Sequence, residues 1–582
     1  KVNSVLLRPG SKVYLKAGSV FADQGLSLRG NGTAAKPILV DMYDGATIGT
    51  AAGAKPIINA NGVPHAAFTM GNEANTGSTA YPDISYGLHI KNMSHITVKN
   101  LEITNNPAAR ELAVGAVVEA SGNGLTSGIH LDGLNVHDVK GDYVQKTAPN
   151  GGIYFITTVA DPSGTIANDH TRYDDISVQN CTVKNVSRTG ISVGSSHSAH
   201  SWEGHGGGII PENVKTNYGH TKVLIKNNFV DHAGGDAIVP QFCISPLVEH
   251  NISAYASQNT PGGGEMFNAG IWPWRCEDAL FQFNEAYHTM KNGDGQAYDC
   301  DSSRGTVYQY NYSHDNGNGF MLFCQAQSVQ STVRYNVSQN DLGRIFLVSN
   351  NQKSQVYNNT FYIGAGLNTN IVEGGGPMDL KNNIFYTAGT RKSPNWGSFT
   401  YDNNLYYGFT TTPDDAHEII ADPMFVDPGK GGTGVEGNSA IDTLGGYALQ
   451  AGSPAIGAGL LIPNNGGRDY EGNLVFNTGK PDLGAFQVAT LGLTSAVYTV
   501  DQSTPVIHLN EHIAVADFLA KLTHSTGAAM KAMKDNAEYT SGDVDETVTV
   551  AVTKDGKTVT YAVEFAYPPA VLTSNTYTVN DT

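Results

Sequence analysis

The chain has 582 residues, of which 67 are glycine, and only 15% of its residues are charged. This composition is typical of a turn-rich β protein and excludes a mainly helical or a disordered chain. The formal net charge of -18 argues against a nucleic-acid partner and against an anionic membrane surface. No apolar segment is long enough for a membrane-spanning helix, so we expect no membrane insertion. The chain begins at Lys1 without a signal-like segment, which we interpret as a trimmed mature form.

Short apolar segments separated by glycines open the chain, up to residue 60. They predict strands at 4–7, 12–15, 26–28, 37–40 and 56–58. We interpret these strands as a cap and the first turns of a repeat, because the first coil of a repeat structure has no neighbour below it.

A repeat follows from residue 85, in which an apolar segment ends in asparagine at intervals of about 24 residues. The asparagines concerned are Asn100, Asn180, Asn228, Asn251, Asn284, Asn311, Asn336, Asn359, Asn383 and Asn404. One strand and one asparagine per turn predict an all-β fold, a right-handed parallel β-helix. Asparagine side chains can bond from coil to coil and tolerate the left-handed conformation at a corner, so we expect them to stack in one column.

After each asparagine a second strand begins with glycine. The glycines are Gly190, Gly235, Gly270, Gly295, Gly319 and Gly343. Stacking them predicts one column of side chains, formed by Val239, Trp274, Asp299, Phe323 and Leu347. Cys276, Cys300 and Cys324 recur at the same interval and predict a buried, inert ladder of thiols. The five cysteines are an odd, sparse set, so we expect no disulfide framework, and they contain no C-x-x-C pair, so we expect no zinc site.

A short acidic stretch lies near the middle of the chain. Asp299 and Asp301 are two apart in a predicted strand, so they share one face, while Tyr298 and Cys300 point to the other face. Asp294 lies at the entry of this strand, where flanking glycines allow a turn. Like charges this close raise at least one carboxyl pKa, which suits a general acid beside an ionised partner. A Ca²⁺ site or a solvated acidic turn would also fit the pattern.

Two insertions, at 195–220 and 255–270, leave the coils next to the acidic stretch, and we expect them to wall a binding site. The first contains His197, His200 and His205, whose irregular spacing favours substrate or solvent contacts over a metal site. The second contains Glu265, which we also expect to contact substrate.

Trp272 and Trp274 lie two apart, one coil before the acidic stretch. Aromatic rings stack on the apolar faces of sugars, so both are predicted to bind substrate. Core packing is the alternative, although Pro273 between them favours an outer position. The remaining residues that we expect to bind substrate are Asp236, Gln241, Gln296 and Phe323.

After Asn404 the repeat closes. We expect the β-helix domain to span 1–489 and a small α+β accessory domain to span 490–582, with one helix around 514–535. Residues 495–501 resemble residues 574–580, which predicts that a second copy of this accessory module starts near residue 573.

Four segments together resemble secreted bacterial β-helix carbohydrate-active enzymes. They are Ala269-Gly-Ile-Trp-Pro-Trp274, Phe281-Gln-Phe-Asn-Glu285, Gly293-Asp-Gly-Gln-Ala-Tyr-Asp-Cys-Asp301 and Tyr308-Gln-Tyr-Asn-Tyr-Ser-His-Asp315. Within that group, the aspartates Asp294 and Asp301 are similar to the catalytic pair of glycoside hydrolase family 136, the lacto-N-biosidases of gut bacteria. The resemblance covers residues 1 to 490.

The resemblance implies an extracellular or cell-wall-anchored bacterial glycosidase. It would release lacto-N-biose, or a related disaccharide, from the non-reducing end of lacto-N-tetraose-type oligosaccharides with retention of configuration. By motif position, Asp301 would be the nucleophile and Asp294 the acid/base, and Asp299 competes for either role. A dedicated folding chaperone and the possible use of Ca²⁺ are implied by the resemblance alone.

Two other functions stay open from the residues. A polysaccharide lyase would use Lys291 as the base next to a uronate, with the aspartates holding Ca²⁺ and arginines near in sequence (Arg275, Arg304 and Arg344). A surface glycan-binding protein would use the same groove without catalysis. The low number of basic residues and the paired tryptophans favour the glycosidase.

Overall fold

The computed structural model describes residues 2–45, 47, 53–71, 78–142, 148–159, 170–194, 212–258, 266–324, 328–349, 353–391, 393–476, 479–502, 504–554 and 556–565. The chain divides into two compact units. The first comprises Lys1–Ala421 and Val426–Tyr447, and the second comprises Asp422–Phe425 and Ala448–Thr582. Within the described ranges, no helix has both the length and the apolar character needed to cross a membrane.

The first unit is built around three parallel sheets that run along it, which we name sheets 1, 2 and 3. Sheet 1 is formed in order by Lys12–Lys16, Ile38–Tyr43, Ile96–Lys99, Leu125–Asp132, Arg172–Gln179, His220–Lys226, Leu247–Glu249, Leu280–Gln282, Val307–Gln309, Thr332–Arg334, Ser354–Tyr357, Met378–Lys381 and Thr400–Asp402, with Cys243–Ile244 beside His220–Lys226. Sheet 2 is formed in order by Val20–Ala22, Ile57–Asn59, Glu102–Asn105, Asn135–Val139, Thr182–Val186, Phe229–Ala233, Ile252–Ala254, Glu285–Tyr287, Tyr312–His314, Val337–Gln339, Thr360–Ile363, Ile384–Arg391, Leu405–Phe409 and Ile419–Ile420. Spatial order follows sequence order in both sheets. The fold is therefore a parallel β-helix, as the sequence predicts.

Sheet 3 is interrupted in the middle. Its first part contains Leu6–Leu7, Leu26–Gly30, Ser78–Lys91, Ala113–Ser121, Gly151–Thr158, Thr189–Val193 and Ile238–Pro240, with His65–Gly71 antiparallel to Ser78–Lys91. Its second part contains Tyr298–Asp301, Met321–Cys324, Arg344–Ser349 and Asn370–Gly375. Single parallel bridges at Ile271 and Trp274 connect the two parts. The acidic strand is thus the first full strand after an irregular coil.

Apolar side chains from all three sheets fill the interior of the solenoid as one cluster, which includes residues from Leu7 to Tyr406. Strands contribute alternate side chains to this core, as in Ile96–Lys99, whose residues are buried and half-buried in turn. The described helices of the first unit are short: the α-helix Glu212–Tyr218 and the 3₁₀ helices Val2–Ser4 and Ile441–Tyr447.

A ladder of buried asparagines closes the corner between sheets 1 and 2. Its members are Asn228, Asn251, Asn284, Asn311, Asn336, Asn359, Asn383 and Asn404. At each step the backbone N–H and the Nδ2 of one asparagine donate to the Oδ1 of the next at 2.9–3.0 Å. The predicted stacking of these side chains is confirmed. Asp415 ends the ladder. Its carboxylate accepts hydrogen bonds from the backbone N–H and the Nδ2 of Asn404, and no donor is needed at this last position because no asparagine follows.

Asn100 and Asn180 do not belong to the ladder, contrary to the prediction. They occupy the left-handed corner one position earlier, with φ of 54° and 53°. The ladder position of the later coil holds Cys181, whose backbone N–H donates to Asn228 Oδ1 at 2.9 Å. The ladder therefore begins at Asn228. Asn100 and Asn180 tolerate the positive φ of the corner, and their Nδ2 groups donate to Asp41 and Asp132 at 2.9 and 2.8 Å.

The second unit is a small α+β structure with its own apolar core. Its main sheet has the order Thr499–Asp501, Val506–Leu509, Lys557–Phe565, Thr549–Lys554, Ala529–Lys534 and Ala537–Glu538, and Leu493–Thr494 pairs with Thr523–His524. The closing segment from Ala448 onward groups with this unit, so the division falls before the predicted boundary at 489.

The helix predicted around 514–535 is much shorter and spans only Val515–Ala520. The chain turns at Gly527, where φ is 73°, and Ala529–Lys534 then pairs antiparallel with Thr549–Lys554. Strand pairing thus overrides the helical pattern in this segment. The predicted second copy near residue 573 lies outside the described residues.

Candidate active site

The acidic strand Tyr298–Asp301 presents its carboxylates on the outside of sheet 3. Tyr298 and Cys300 are fully buried in the solenoid core, so the alternation of a β-strand directs Asp299 and Asp301 outward, as predicted. Burial raises the pKa of the Cys300 thiol, and Asp299 and Asp301 raise it further, so this thiol stays protonated and unreactive.

The two outward carboxylates lie close together. One oxygen of Asp299, one oxygen of Asp301 and the Sγ of Cys324 all lie within 4.8 Å of one another. Asp299 is 4% exposed, whereas Asp301 is half-buried and accepts a hydrogen bond from Ser302 Oγ at 2.8 Å. Asp301 is therefore the more accessible of the two acids.

Asp294 lies before this strand, on a turn formed by residues 290–295. The backbone N–H of Asn292 donates to the carbonyl of Asp294 at 3.0 Å and closes the turn. Gly293 and Gly295 have φ of 77° and 126°, which a residue with a side chain rarely adopts. The predicted turn is confirmed, and Asp294 is half-buried on it.

The preceding coil brings both tryptophans beside the acids. Trp274 is bridged to Asp301, and Ile271 is bridged to Tyr298, so Trp272 lies next to Asp299. Each tryptophan therefore flanks one carboxylate along the direction that runs from coil to coil. This arrangement forms the centre of the candidate site.

Trp272 is the more deeply placed tryptophan, with 5% of its surface exposed. Its indole N–H donates to Asp236 Oδ1 at 3.0 Å, and the same oxygen accepts the backbone N–H of Ala269 at 3.1 Å. Arg188 Nη1 lies 3.7 Å from the other oxygen of Asp236. Asp236, predicted to bind substrate, thus lies beneath Trp272 and supports its indole.

Trp274 lies nearer the surface and is half-buried. The guanidinium of Arg275 lies 4.5 Å from the centre of its ring, and Phe242 packs edge-on against it. Gln241, which is bridged to Trp274, is also half-buried and donates from Nε2 to Ser192 Oγ at 2.9 Å. Gln241, Trp274 and Asp301 therefore follow one another on the same outward row.

Phe323 was predicted to bind substrate, and the structure corrects this assignment. It pairs with Cys300 in register and is fully buried against Phe346 in the core. The residue that neighbours Asp299 on the next coil is Leu322, followed by Leu347. The predicted column therefore placed Trp274 two positions and Phe323 one position beyond the residues that are in register with Asp299.

The cysteine ladder was also predicted wrongly. Cys324 is bridged in register to Asp301 and is half-buried on the outside, not stacked on Cys300. The coil from Trp274 to Asp301 is 27 residues long and the coil from Asp301 to Cys324 is 23. Equal spacing of the cysteines in sequence therefore does not place them at equal positions in the coils.

Gln296, also predicted to bind substrate, lies at the corner directly before the acidic strand. It is fully buried, and neither polar atom of its side chain has a hydrogen-bond partner in the structure. Buried amides normally have such partners, so a water or a ligand group is expected beside it.

The remaining predicted contacts, His197, His200, His205 and Glu265, lie outside the described residues, as do residues 195–211 and 259–265 of the two insertions. Two residues near the acids were not singled out from the sequence. Cys324 was assigned to the core by its spacing. Asn318 precedes a strand like many other asparagines of the chain, and nothing in its sequence context distinguishes it.

The described residues offer one group that could hold a metal ion, formed by Asp299, Asp301 and Cys324. Ca²⁺ takes six to eight oxygen ligands, and a thiol is a poor ligand for it. This group therefore does not fit Ca²⁺.

The chain is similar to known lacto-N-biosidases. It is 36% identical to a lacto-N-biosidase of Bifidobacterium longum subsp. longum over 85% of its own length, and the match covers 35% of that relative. The crystal structure of a native GH136 lacto-N-biosidase from Eubacterium ramulus is 32% identical, with a TM-score of 0.59, and the match covers 68% of this chain and 63% of that chain. Its selenomethionine derivative is 33% identical with a TM-score of 0.58, over 65% of this chain and 63% of that one.

No family model matches the chain. The chain thus spans about a third of the curated relative's length and less than two thirds of each crystallised chain. The resemblance to family 136 lacto-N-biosidases that the sequence motifs indicate is confirmed by these comparisons.

Proposed function

We propose that this protein is a glycoside hydrolase that releases lacto-N-biose, or a related disaccharide, from the non-reducing end of lacto-N-tetraose-type oligosaccharides. The observation that carries the proposal is the row of Trp274 and Asp301, flanked by Trp272 and Asp299, on the outer face of sheet 3. Carboxylates beside aromatic rings combine the two chemistries that glycosidases need, acid/base catalysis and stacking on sugar rings. The similarity to lacto-N-biosidases supports the choice of disaccharide.

The mechanism that we propose retains the anomeric configuration. Asp294, protonated, donates its proton to the glycosidic oxygen, and the carboxylate of Asp301 attacks the anomeric carbon. The carbon–oxygen bond to the leaving sugar breaks, and a glycosyl ester of Asp301 forms. Asp294, now a carboxylate, removes a proton from water, which cleaves the ester and regenerates both acids.

The accessibility of the acids supports this assignment of roles. Asp301 is half-buried and bonded on one oxygen by Ser302, whereas Asp299 is almost fully covered. A nucleophile has to reach the substrate, and this favours Asp301 over Asp299. Asp299 stays the alternative acid, because it lies beside Asp301 while Asp294 is placed by a separate turn.

Beyond the site, we propose an oligosaccharide as the partner and a place of action outside the cell or on the cell wall. The support is the similarity to lacto-N-biosidases, together with the turn-rich, weakly charged composition of the chain.

Incubation with lacto-N-tetraose and chromatography of the products test the proposed function. We expect equal amounts of lacto-N-biose and lactose. Absorbance near 235 nm on uronate polymers would indicate the lyase instead, because β-elimination leaves an unsaturated sugar. Binding of lacto-N-tetraose without turnover would indicate a glycan-binding protein.

A further inference from the structure

The turn that carries Asp294 is not part of any of the three sheets. It closes on itself through the bond from Asn292 N–H to the Asp294 carbonyl, at 3.0 Å. A Cβ on Gly295 would lie 2.8 Å from the carbonyl oxygen of Met290, so only glycine lets the chain return into the acidic strand. The position of Asp294 is therefore set by whatever holds this turn.

One residue of the next coil holds three successive carbonyls of the turn. Asn318 Nδ2 donates to the carbonyl of Gly293 at 3.2 Å and to that of Asp294 at 3.3 Å. The backbone N–H of Asn318 donates to the carbonyl of Gly295 at 3.2 Å. A planar amide with two N–H groups can serve two successive carbonyls at once, which a hydroxyl or a carboxylate cannot do.

The preceding coil holds the other side of the turn. The backbone N–H of Met266 donates to Asn292 Oδ1 at 3.2 Å, and that of Phe267 donates to the Asn292 carbonyl at 3.0 Å. The turn is thus fixed between two neighbouring coils. From the following coil, Asn318 supplies the three hydrogen bonds to the carbonyls of residues 293–295.

We propose that Asn318 is a positioning residue that aligns Asp294 with the glycosidic oxygen. This inference rests on the proposed function, in which Asp294 is the acid/base. Asn318 has no exposed surface, so it acts through the turn and does not touch the substrate. Proton transfer requires an approach of about 2.6–3.2 Å between heavy atoms, and a misplacement of about 1 Å can cost a factor of about 100 in rate.

The test compares a substrate that needs protonation of its leaving group with one that does not. Lacto-N-tetraose has a sugar alcohol as its leaving group, whereas nitrophenyl lacto-N-bioside releases a stable phenolate. For Asn318→Ala and the isosteric Asn318→Asp, we expect kcat/KM to fall at least tenfold, by order of magnitude, on lacto-N-tetraose and much less on the nitrophenyl glycoside. We also expect the alkaline limb of the pH profile to shift, because it reports the acid.

The matched control is Asn383→Ala. Asn383 is equally buried and its Nδ2 also donates twice, to the Val356 carbonyl and to Asn404 Oδ1, but it belongs to the asparagine ladder. Its loss should affect both substrates by the same factor. Equal factors for the two substrates in both Asn318 variants, with the wild type active, would overturn the positioning role alone. A wild type that cleaves neither substrate would overturn the proposed function, and this inference with it.

Discussion

The acids of the candidate site differ in how the fold presents them. Asp301 is half-buried on the outer face of the strand, Asp299 is covered beside it, and Asp294 is carried by a turn. The strand alternation that places the first two follows directly from the sequence. Their closeness to Cys324 does not, because it depends on the length of the next coil.

Replacement of each acid by asparagine separates the roles at nearly constant volume. For Asp301→Asn we expect loss of turnover by a factor on the order of 1,000 and no covalent intermediate, because the nucleophile is gone. Asp294→Asn should slow the hydrolysis of lacto-N-tetraose by a factor of about 100 to 10,000. The hydrolysis of activated glycosides should be slowed less, because their leaving groups need no protonation. Steady-state kinetics measure the losses of rate, and mass spectrometry of the quenched enzyme detects or excludes the covalent intermediate.

The control is Asp299→Asn, which should keep more activity than the other two variants. An inactive Asp299→Asn beside an active Asp294→Asn would show that Asp299 is the acid/base.

The two tryptophans should respond differently to truncation. Trp274 is half-buried on the row of Asp301, so Trp274→Ala should raise KM about tenfold with little change in unfolding temperature. Trp272 is buried and bonded to Asp236, so Trp272→Ala should lower the free energy of unfolding by about 3–5 kcal/mol. Thermal unfolding and substrate titration check the pair. An unchanged KM in Trp274→Ala would remove it from the binding surface.

The asparagine ladder is a part of the fold that the sequence predicts correctly from Asn228 onward. Each ladder position is fixed by backbone geometry that repeats in every coil, so one residue type recurs whatever the coil length. The glycines and cysteines near sheet 3 carry no such constraint. Because the coils differ in length, residues at equal spacing in the sequence do not stack in register. Phe323 therefore points into the core and Cys324 points outward, the reverse of the prediction.

Local sequence patterns also predict some strands correctly, whereas an element that depends on distant pairing is predicted less well. The strands predicted at 12–15, 26–28 and 37–40 are found at Lys12–Lys16, Leu26–Gly30 and Ile38–Tyr43, because local apolar patterns set them. The helix around 514–535 is shortened by strand pairing that lies far along the chain, which no local pattern reveals.

Loss of one ladder member should destabilise the solenoid strongly. Asn336 Oδ1 accepts two bonds from Asn311, and its Nδ2 donates to the Tyr308 carbonyl at 3.0 Å. Asn336→Ala leaves these buried groups without partners, so we expect a loss of about 2–4 kcal/mol in the free energy of unfolding. Denaturant titration measures this loss. Asn106→Ala, at an exposed position outside the ladder, should cost less than about 1 kcal/mol, and equal losses in the two variants would contradict the ladder's role.

Residues 426–447 belong to the first unit and form a strap that packs on sheet 2. Glu285, which has no exposed surface, accepts the backbone N–H groups of Gly434 and Ala440 at 2.6 and 2.7 Å, and the hydroxyl of Ser439 at 2.7 Å. His314 Nε2 lies 3.2 Å from the same carboxylate. The carboxylate of Glu285 thus joins the strap to sheet 2, and the imidazole of His314 contacts that carboxylate.

This junction predicts a pH dependence of stability. Burial lowers the pKa of His314, but hydrogen bonds to Asp315 and Glu285 outweigh it and raise the pKa above the ordinary value of 6.5. A raised histidine pKa stabilises the folded chain fully below that ordinary value, and the stabilisation is lost as pH rises through the folded value.

The variant His314→Gln should therefore be less stable than the wild type by about 2 kcal/mol at pH 6, with a smaller difference at pH 9. Denaturant titrations at both pH values give the two differences. A difference that grows with pH would contradict the ionic role of His314.

The glycosyl ester proposed on Asp301 determines the anomeric configuration of the first product, and this configuration can be measured. A proton NMR time course on lacto-N-tetraose follows the reducing end of the released disaccharide before mutarotation. Two successive displacements, the first of which forms the ester, retain the configuration, so the β anomer should appear first and the α anomer should grow in slowly. Initial release of the α anomer would show a single displacement by water and would remove the nucleophilic role from Asp301.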